Sequence, residues 1–484
     1  MDKARQRERN YTLLCDYYEL TMGNGYLKSG LAERITYFDV FFRRVPDGGG
    51  FAIAAGLEQV IEYMEGLHFS PEDIAFLRGK KVFSEGFLQY LANFQFTGDL
   101  YAVPEGTPVF PGEPILTVRA PAAQAQLIET FLLLSINHQS LIATKANRIV
   151  RAAQGRAVTE FGSRRAQGVD GAVLGARAAY IAGCAGTACV LSDKEYGVPA
   201  GGTMAHSWIQ MFDDEYTAFK TYCELYPEDV TLLVDTYNVL KSGVPNAIRA
   251  FREVLQPKGV RNCAIRLDSG DMTYLSKKAR KMLDEAGFPQ CKIVASNSLD
   301  EYIIRDLIQQ GACIDSFGVG ERLITSKSEP VFGGVYKLAA VEDEEGRILP
   351  KIKVSENTSK ITNPHFKKVY RLYENDSGKA AADLMCVHDE RVDDSQPLEI
   401  FSPEATWKKK ILTNFTAREL LVPVFLGGKR VYATPPIEAV RNYCRDQVET
   451  LWDEVKRFEN PHAYYVDLSK KLWDIKMQLL ENSK

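Results

Sequence analysis

Between residues 155 and 320, short runs of β-branched and apolar residues alternate with longer stretches of helical periodicity. The runs cover 157–161, 187–191, 230–234, 264–267, 292–295 and 314–317. The helical stretches cover 171–182, 213–225, 245–255, 271–286 and 300–310. Short apolar runs separated by helices are the pattern of a parallel sheet. Such units close into an α/β barrel or stay open as a doubly wound sheet, and periodicity alone does not separate the two.

The flanks follow other patterns. Residues 10–22 have helical spacing, with Asn10 or Thr12 able to cap. Tyr17 and Tyr18 are adjacent, so one is expected to face outward. Residues 35–45 alternate as a strand and end in Pro46-Asp47-Gly48-Gly49-Gly50, a turn or loop. Helices are predicted over 53–66 and 71–78, small strands over 97–118, and a long helical stretch over 122–153 carrying Glu129, Asn137, His138, Lys145 and Arg148. Beyond 330, residues 331–345, 348–355, 367–373 and 382–388 read as antiparallel strands. Hairpin turns fall at 343–346 and 374–378. Helices follow near 435–457 and 469–481. These changes predict an N-terminal α+β domain over 1–150, an α/β domain with the active site over 151–330, and a β-rich segment with C-terminal helices over 331–484 that packs on the other two.

Composition narrows the class. Of 484 residues, 45% are hydrophobic and 25% charged, which is ordinary for a soluble globular chain. A net charge of −4 offers no general attraction to nucleic acid or acidic membranes, so an anionic ligand must be held by local arginines, lysines and amides. No apolar window is long enough to span a membrane, and the charged first ten residues do not read as a signal peptide. Nine scattered cysteines with no C-x-x-C pair predict reduced thiols in a cytoplasmic protein and argue against zinc.

Polar residues cluster after every run. They are Glu160-Phe161-Gly162-Ser163-Arg164-Arg165, Gly201–Ser207, Asp235-Thr236-Tyr237-Asn238, Arg266-Leu267-Asp268-Ser269-Gly270-Asp271, Ser296-Asn297-Ser298 and Phe317-Gly318-Val319-Gly320. Sheets of this class carry their chemistry at the C-terminal strand ends. Arg164, Arg165 and Arg266 suit carboxylates or phosphates. Amides of Gly318 and Gly320 suit a phosphate, although the motif lacks the third glycine of a dinucleotide fingerprint. Asp268 and Asp271 are spaced to hold Mg²⁺ or, equally, to cap a helix. His206, one of six histidines, is open to roles as nucleophile, base, phosphate ligand or core residue. Asp235 is the candidate to orient its ring. With no Gly-x-Ser-x-Gly elbow, phosphoryl chemistry fits better than acyl transfer.

Together the motifs Glu160–Gly168, Gly202–Ser207, Asp235-Thr236-Tyr237, Arg266–Asp271 and Phe317–Gly320, with Asp16–Met22 near the start and Asn460-Pro461-His462 near the end, resemble nicotinate phosphoribosyltransferase. The resemblance runs in order from about residue 10 to residue 470. It implies an α/β fold: an irregular α/β barrel with an N-terminal α+β domain and a C-terminal strand-rich plus helical extension. It also implies a type II phosphoribosyltransferase joining nicotinate to 5-phosphoribosyl 1-pyrophosphate (PRPP), with nicotinate mononucleotide and pyrophosphate as products in NAD biosynthesis. ATP hydrolysis would be coupled through a phosphohistidine at His206, with Asp235 and Asp268 as the other catalytic groups and Mg²⁺ on Asp268 and Asp271. Nicotinate would stack between Phe161 and Tyr18 of a second subunit in a homodimer, with its carboxylate on Arg164. Thr203, Ser207, Arg266, Asn297, Gly318 and Gly320 complete the expected substrate contacts.

Two positions depart from the family pattern. Glu321 follows the last glycine where a small residue is expected, which is tolerable only if its side chain points away from the phosphate loop. His365 follows Pro364 where glycine is expected. The nearest alternative is nicotinamide phosphoribosyltransferase. It is disfavoured by Ala188, which stands after Gly186-Thr187 where the nicotinamide enzymes carry an amide-binding aspartate. A non-catalytic relative that binds a phosphoribosyl ligand would have lost chemistry, yet His206, Asp235, Arg266 and Asp268 are present. An aldolase lacks a Schiff-base lysine at a strand end.

Overall fold

Six parallel strands form the central sheet, in the spatial order Gly186–Thr187, Ala157–Glu160, Ser316–Val319, Lys292–Ser296, Cys263–Leu267 and Val230–Leu233. In this computed structural model, which describes residues 10–357, 360–403 and 405–483, the first and last of these strands do not pair with each other. The sheet is therefore a half-barrel. The charged segment over residues 1–9, tied to the signal-peptide reading, lies outside the described residues. Val158, Leu232, Ile265, Leu267, Ile293, Ala295 and Phe317 are buried in the strands, as continuous apolar runs between helices require.

The helices between them are Val169–Ile181, Glu215–Leu225, Val244–Ala250 with its continuation to Leu255, Met272–Glu285 and Glu301–Gln309. Three begin on an aspartate that accepts backbone N–H groups of the first turn. Asp214 takes Thr217 at 2.8 Å, Asp271 takes Tyr274 at 2.7 Å, and Asp300 takes Tyr302 and Ile303 at 3.1 and 2.9 Å. The run predicted over 187–191 stops as a strand at Thr187. There the threonine hydroxyl accepts the Cys189 N–H at 3.0 Å, and a helix, Val190–Tyr196, begins. Within this unit Glu301 is fully buried and receives Lys145 Nζ at 2.8 Å and Arg148 Nε at 2.8 Å, so two cations answer one carboxylate.

Residues up to Leu141 and from Val331 onward form one compact unit, and Ile142–Pro330 forms another. The first and third predicted segments thus share a seven-stranded sheet. Its order is Ile348–Pro350, Val335–Glu342, Ile35–Phe41, Leu116–Pro121, Asp99–Ala102, Val422–Leu426 and Lys429–Arg430. Strands over 398–430 fall in the segment expected to be β-rich, although the pattern does not mark them one by one. One of them, Ala405–Leu412, carries Trp-Lys-Lys-Lys and is exposed along most of its length, so it lacks the alternation that marks a half-buried strand.

The first helix, Tyr17–Lys28, starts on Asp16 rather than on Asn10 or Thr12. Asp16 and Glu19 form a capping box, while Asn10 Oδ1 accepts the Thr12 N–H at 2.9 Å. Tyr17 and Tyr18 are both exposed, because the buried face is supplied by Glu19, Leu20 and Gly23. The Glu19 carboxylate accepts the Asp16 and Thr130 N–H groups at 3.2 Å each, and burial pushes its pKa up to about 7. His365 sits at φ 77°, the left-handed region that glycine occupies without penalty, which accounts for the expectation of glycine there.

The hairpin formed by Lys367–Glu374 and Ala380–Val387 holds a bidentate ion pair with both partners fully buried. Arg371 donates through Nε and Nη2 to Asp383 at 2.8 and 2.6 Å. Arg371 Nη2 also reaches the Pro108 carbonyl at 2.8 Å, and the Tyr464 hydroxyl donates to Asp383 at 3.0 Å. Asp383→Ala leaves a guanidinium in the core without its counter-ion. Urea unfolding is expected to show a loss of about 3–5 kcal/mol, whereas an exposed pair such as Lys409–Glu399 tolerates the same truncation within about 1 kcal/mol.

Candidate functional site

The C-terminal strand ends of the half-barrel meet around one guanidinium. Arg266, near the end of Cys263–Leu267, donates from Nε to Ser296 Oγ at 3.0 Å, from Nη1 to Thr203 Oγ1 at 2.6 Å, and from Nη2 to Asp268 Oδ1 at 3.2 Å. Its carbon lies 5.8 Å from the centroid of the Phe161 ring, within cation–π range. Ser296 also donates to Asp268 Oδ1. Four elements are thereby held by one side chain.

His206 opens the short helix His206–Gln210. The segment before it is anchored on the sheet by Ala200, which bridges to Thr187, and by Gly201 N–H, which donates to the Thr187 carbonyl at 2.9 Å. Asp235, just past Val230–Leu233, lies 3.2 Å from His206 Nε2 through Oδ1. Its Oδ2 accepts the Asp268 N–H at 2.9 Å and the Ser269 hydroxyl at 2.6 Å. The Asp235 carboxylate is 1% exposed and the His206 ring 40% exposed, a buried anion beneath an accessible imidazole. A neutral ring that donates Nε2–H to this carboxylate keeps the Nδ1 lone pair free.

Phe161 is set by its neighbours. Its N–H donates to the Val319 carbonyl at 2.8 Å. A Cβ on Gly318 would lie 2.4 Å from the Phe161 ring, and one on Gly162 would lie 2.6 Å from Ile324 and 2.7 Å from the Gly320 carbonyl. Gly318, read as a phosphate cradle, here serves as the seat of the aromatic ring within a paired strand, while Gly320 follows at the strand end. Arg164 and Arg165 project from the exposed turn Ser163–Arg165. Ser207 is exposed one residue after His206. Asn297 and Ser298 both have positive φ, 97° and 47°, a strained pair of non-glycine residues at a strand end. Tyr18 belongs to the other compact unit.

Glu160 was not among the predicted site residues. It is fully buried, accepts the Thr187 hydroxyl at 2.6 Å and the Gly162 N–H, and burial raises its pKa. It ties the Phe161 turn to Gly186–Thr187, and Ala188 N–H donates to the Glu160 carbonyl at 2.8 Å. A charged residue closing an apolar run was its only signal. Ser163 Oγ and Thr236 Oγ1 are buried at the strand ends without a hydrogen-bond partner, which suits a polar ligand completing their shells.

For a cation the donors are sparse. Among the described residues no group of three His, Cys, Asp or Glu side chains converges on a point. Asp268 engages Arg266 and Ser296 through Oδ1, and Asp271 caps a helix through Oδ1. Each has a second oxygen. That set fits Mg²⁺, which keeps waters and is held by one or two carboxylates together with substrate phosphates.

Compared with known proteins, residues 13–137 match the nicotinate phosphoribosyltransferase (NAPRTase) N-terminal domain, 156–345 the NAPRTase family and 366–476 the NAPRTase C-terminal domain. A nicotinate phosphoribosyltransferase of Bacillus subtilis is 44% identical over 478 residues, covering 99% of this chain and 97% of that protein. One from Mycobacterium tuberculosis is 39% identical over 471 residues, covering 96% and 93%. The crystal structure of human nicotinic acid phosphoribosyltransferase superimposes with a TM-score of 0.82 at 28% identity, covering 97% of this chain and 99% of that one.

Gly318→Ala is expected to destabilise the chain by about 1–3 kcal/mol in urea unfolding, since a methyl group enters the space of the Phe161 ring. In a Phe161→Ala background the ring is gone, and the same substitution should cost little. Additive losses in the double variant would refute the contact.

Proposed function

Because the chain belongs to the nicotinate phosphoribosyltransferase family, and is thus an enzyme that transfers a phosphoribosyl group to nicotinate in NAD biosynthesis, we propose that the transfer runs at the Arg266 cluster with PRPP as donor and ATP hydrolysis coupled through His206. The observation that carries this reading is the His206–Asp235 pair beside the Arg266 hub. In the reaction the pyridine nitrogen forms a bond to ribose C1 while the C1–oxygen bond to pyrophosphate breaks. The nitrogen lone pair is already available, so no strong base is needed. The demand falls on charge: cationic character at C1 and negative charge on the leaving group.

Nicotinate would lie on Phe161, whose ring is locked over Gly318, with its carboxylate on Arg164. Ring stacking contributes about 0.5–1.5 kcal/mol beyond buried area. Tyr18 from a second copy in a homodimer would cover the other face. Thr203, Ser207, Asn297 and the Gly320 segment would contact the phosphoribosyl moiety, with Arg266 fixed behind them. Mg²⁺ held by Asp268, with Asp271 on the same loop, would supply positive charge to the pyrophosphate.

His206 Nδ1 would attack the terminal phosphorus of ATP. A P–N bond forms, the P–O bond to ADP breaks, and Asp235 holds the imidazole through Nε2. The phosphoryl group adds negative charge beside the site and shifts its equilibria until water removes it. Alanine at 188, in place of an amide-binding aspartate, supports the acid over the amide. An aspartate there would face the nicotinate carboxylate.

Incubation with γ-labelled ATP is expected to leave acid-labile phosphate on His206. His206→Ala should lose both the label and any stimulation by ATP while still forming nicotinate mononucleotide slowly. ATP stimulation that survives in that variant would refute the coupling role. For Ala188→Asp, kcat/KM for nicotinate should fall by about tenfold or more through like-charge repulsion. Nicotinamide turnover should not fall with it, and equal losses for both bases would count against the selectivity argument.

A further inference from the structure

Beside the end of the Ser316–Val319 strand, Arg165, Gln167, Glu321, Thr325, Lys327 and Pro330 line an open cleft of about 350 Å³. Two of these residues are cations, one is an amide and one is an anion. The anion is paired with one of the cations. Glu321 Oε1 accepts from Lys327 Nζ at 3.0 Å. That hydrogen bond, with the charges of Lys327, Arg165 and Arg322, holds the Glu321 carboxyl below its usual range, so it is ionised at neutral pH. The neighbouring Arg322 is committed to Asp300, and the Thr325 hydroxyl donates to the Glu321 carbonyl at 2.7 Å. Arg165 and Lys327 are therefore the cations that line the cleft, and Glu321 is the carboxylate that lines it with them, paired to Lys327.

Remove that carboxylate and the cleft is a dicationic pocket with an amide donor, suited to a phosphoryl group. We propose that Glu321, which lines this cleft paired with Lys327, must release Lys327 when a phosphoryl group enters, so that Glu321 sets the cleft's affinity for phosphate. The Glu321 and Lys327 side chains are 35% and 59% exposed, and a pair that exposed is weak. An incoming dianion can displace it. The displaced carboxylate then remains beside the bound phosphate and opposes it. The inference deepens the reading above, in which a phosphoribosyl compound is a substrate, but its first test does not depend on turnover.

Inorganic pyrophosphate and orthophosphate are titrated calorimetrically into the full chain and into E321Q, K327Q and E321Q/K327Q. E321Q is expected to bind pyrophosphate about threefold to tenfold more tightly, the range set by loss of an exposed ion pair plus relief of repulsion. K327Q should bind more weakly, and in its background E321Q should gain less. Unchanged or weaker binding in E321Q overturns the proposal, as does a gain that K327Q leaves intact. Both side chains are at the surface, and unchanged melting temperatures establish that the variants remain folded. Steady-state kinetics then separates the sources of the phosphate. A lower KM for PRPP in E321Q assigns the cleft to that substrate, whereas tighter pyrophosphate binding with an unchanged KM assigns it to a separate phosphate ligand. Absence of any transfer from PRPP in the wild type would sink the functional reading while leaving the titrations to judge Glu321.

Discussion

One guanidinium organises the candidate site. Arg266 spends its three nitrogens on Ser296, Thr203 and Asp268 and lies over Phe161, so residues from three strand ends and from the loop before His206 share a single electrostatic anchor. The fork geometry matters. A lysine at this position presents one point charge and cannot satisfy three oxygens in fixed directions. The Asp235 carboxylate does the complementary task one strand away, with His206 on one oxygen and the Asp268 loop on the other. The two groups make a rigid polar floor, and rigidity is what allows fixed charges to act on a developing ionic transition state without reorganising.

Around that floor the half-barrel is positioned by backbone geometry more than by charge. Glycine at 162 and 318 permits contacts that a single methyl group would forbid, so the Phe161 turn sits tight against the Ser316–Val319 strand and the Ile324 side chain. Glu160 then pins the same turn to Thr187 from below. An aromatic ring seated on Gly318 and within reach of the Arg266 guanidinium loses little conformational freedom when a planar ligand stacks on it, which is how preorganisation converts packing into affinity.

Much of this was legible in the sequence, and the reasons are local. Strands buried on both faces leave continuous apolar runs, and Asp214, Asp271 and Asp300 announce their helices, so the parallel sheet could be read directly. The polar strand ends were visible because each interrupts such a run. What stayed hidden depends on neighbours distant in sequence. Glu160 looks like the end of a strand until Thr187 is brought beside it. The true cap of the first helix is Asp16, since Asn10 finds a nearer donor in Thr12. Ala405–Leu412 is a strand by pairing alone, with lysines where alternation should be. Gly318 reads as a phosphate loop in sequence and is a ring seat in space.

The interleaving of strands in the seven-stranded sheet has a consequence in time. Ile35–Phe41 lies between Leu116–Pro121 on one side and Val335–Glu342 on the other, and Asp99–Ala102 pairs with Val422–Leu426. During synthesis the first of these strands is made long before its second neighbour exists. One edge of Ile35–Phe41 and one of Asp99–Ala102 must wait unpaired while the whole Ile142–Pro330 unit is translated. The half-barrel, in contrast, draws every one of its strands from one contiguous stretch of chain. All of its strands have been made before the last third of the polypeptide is synthesised.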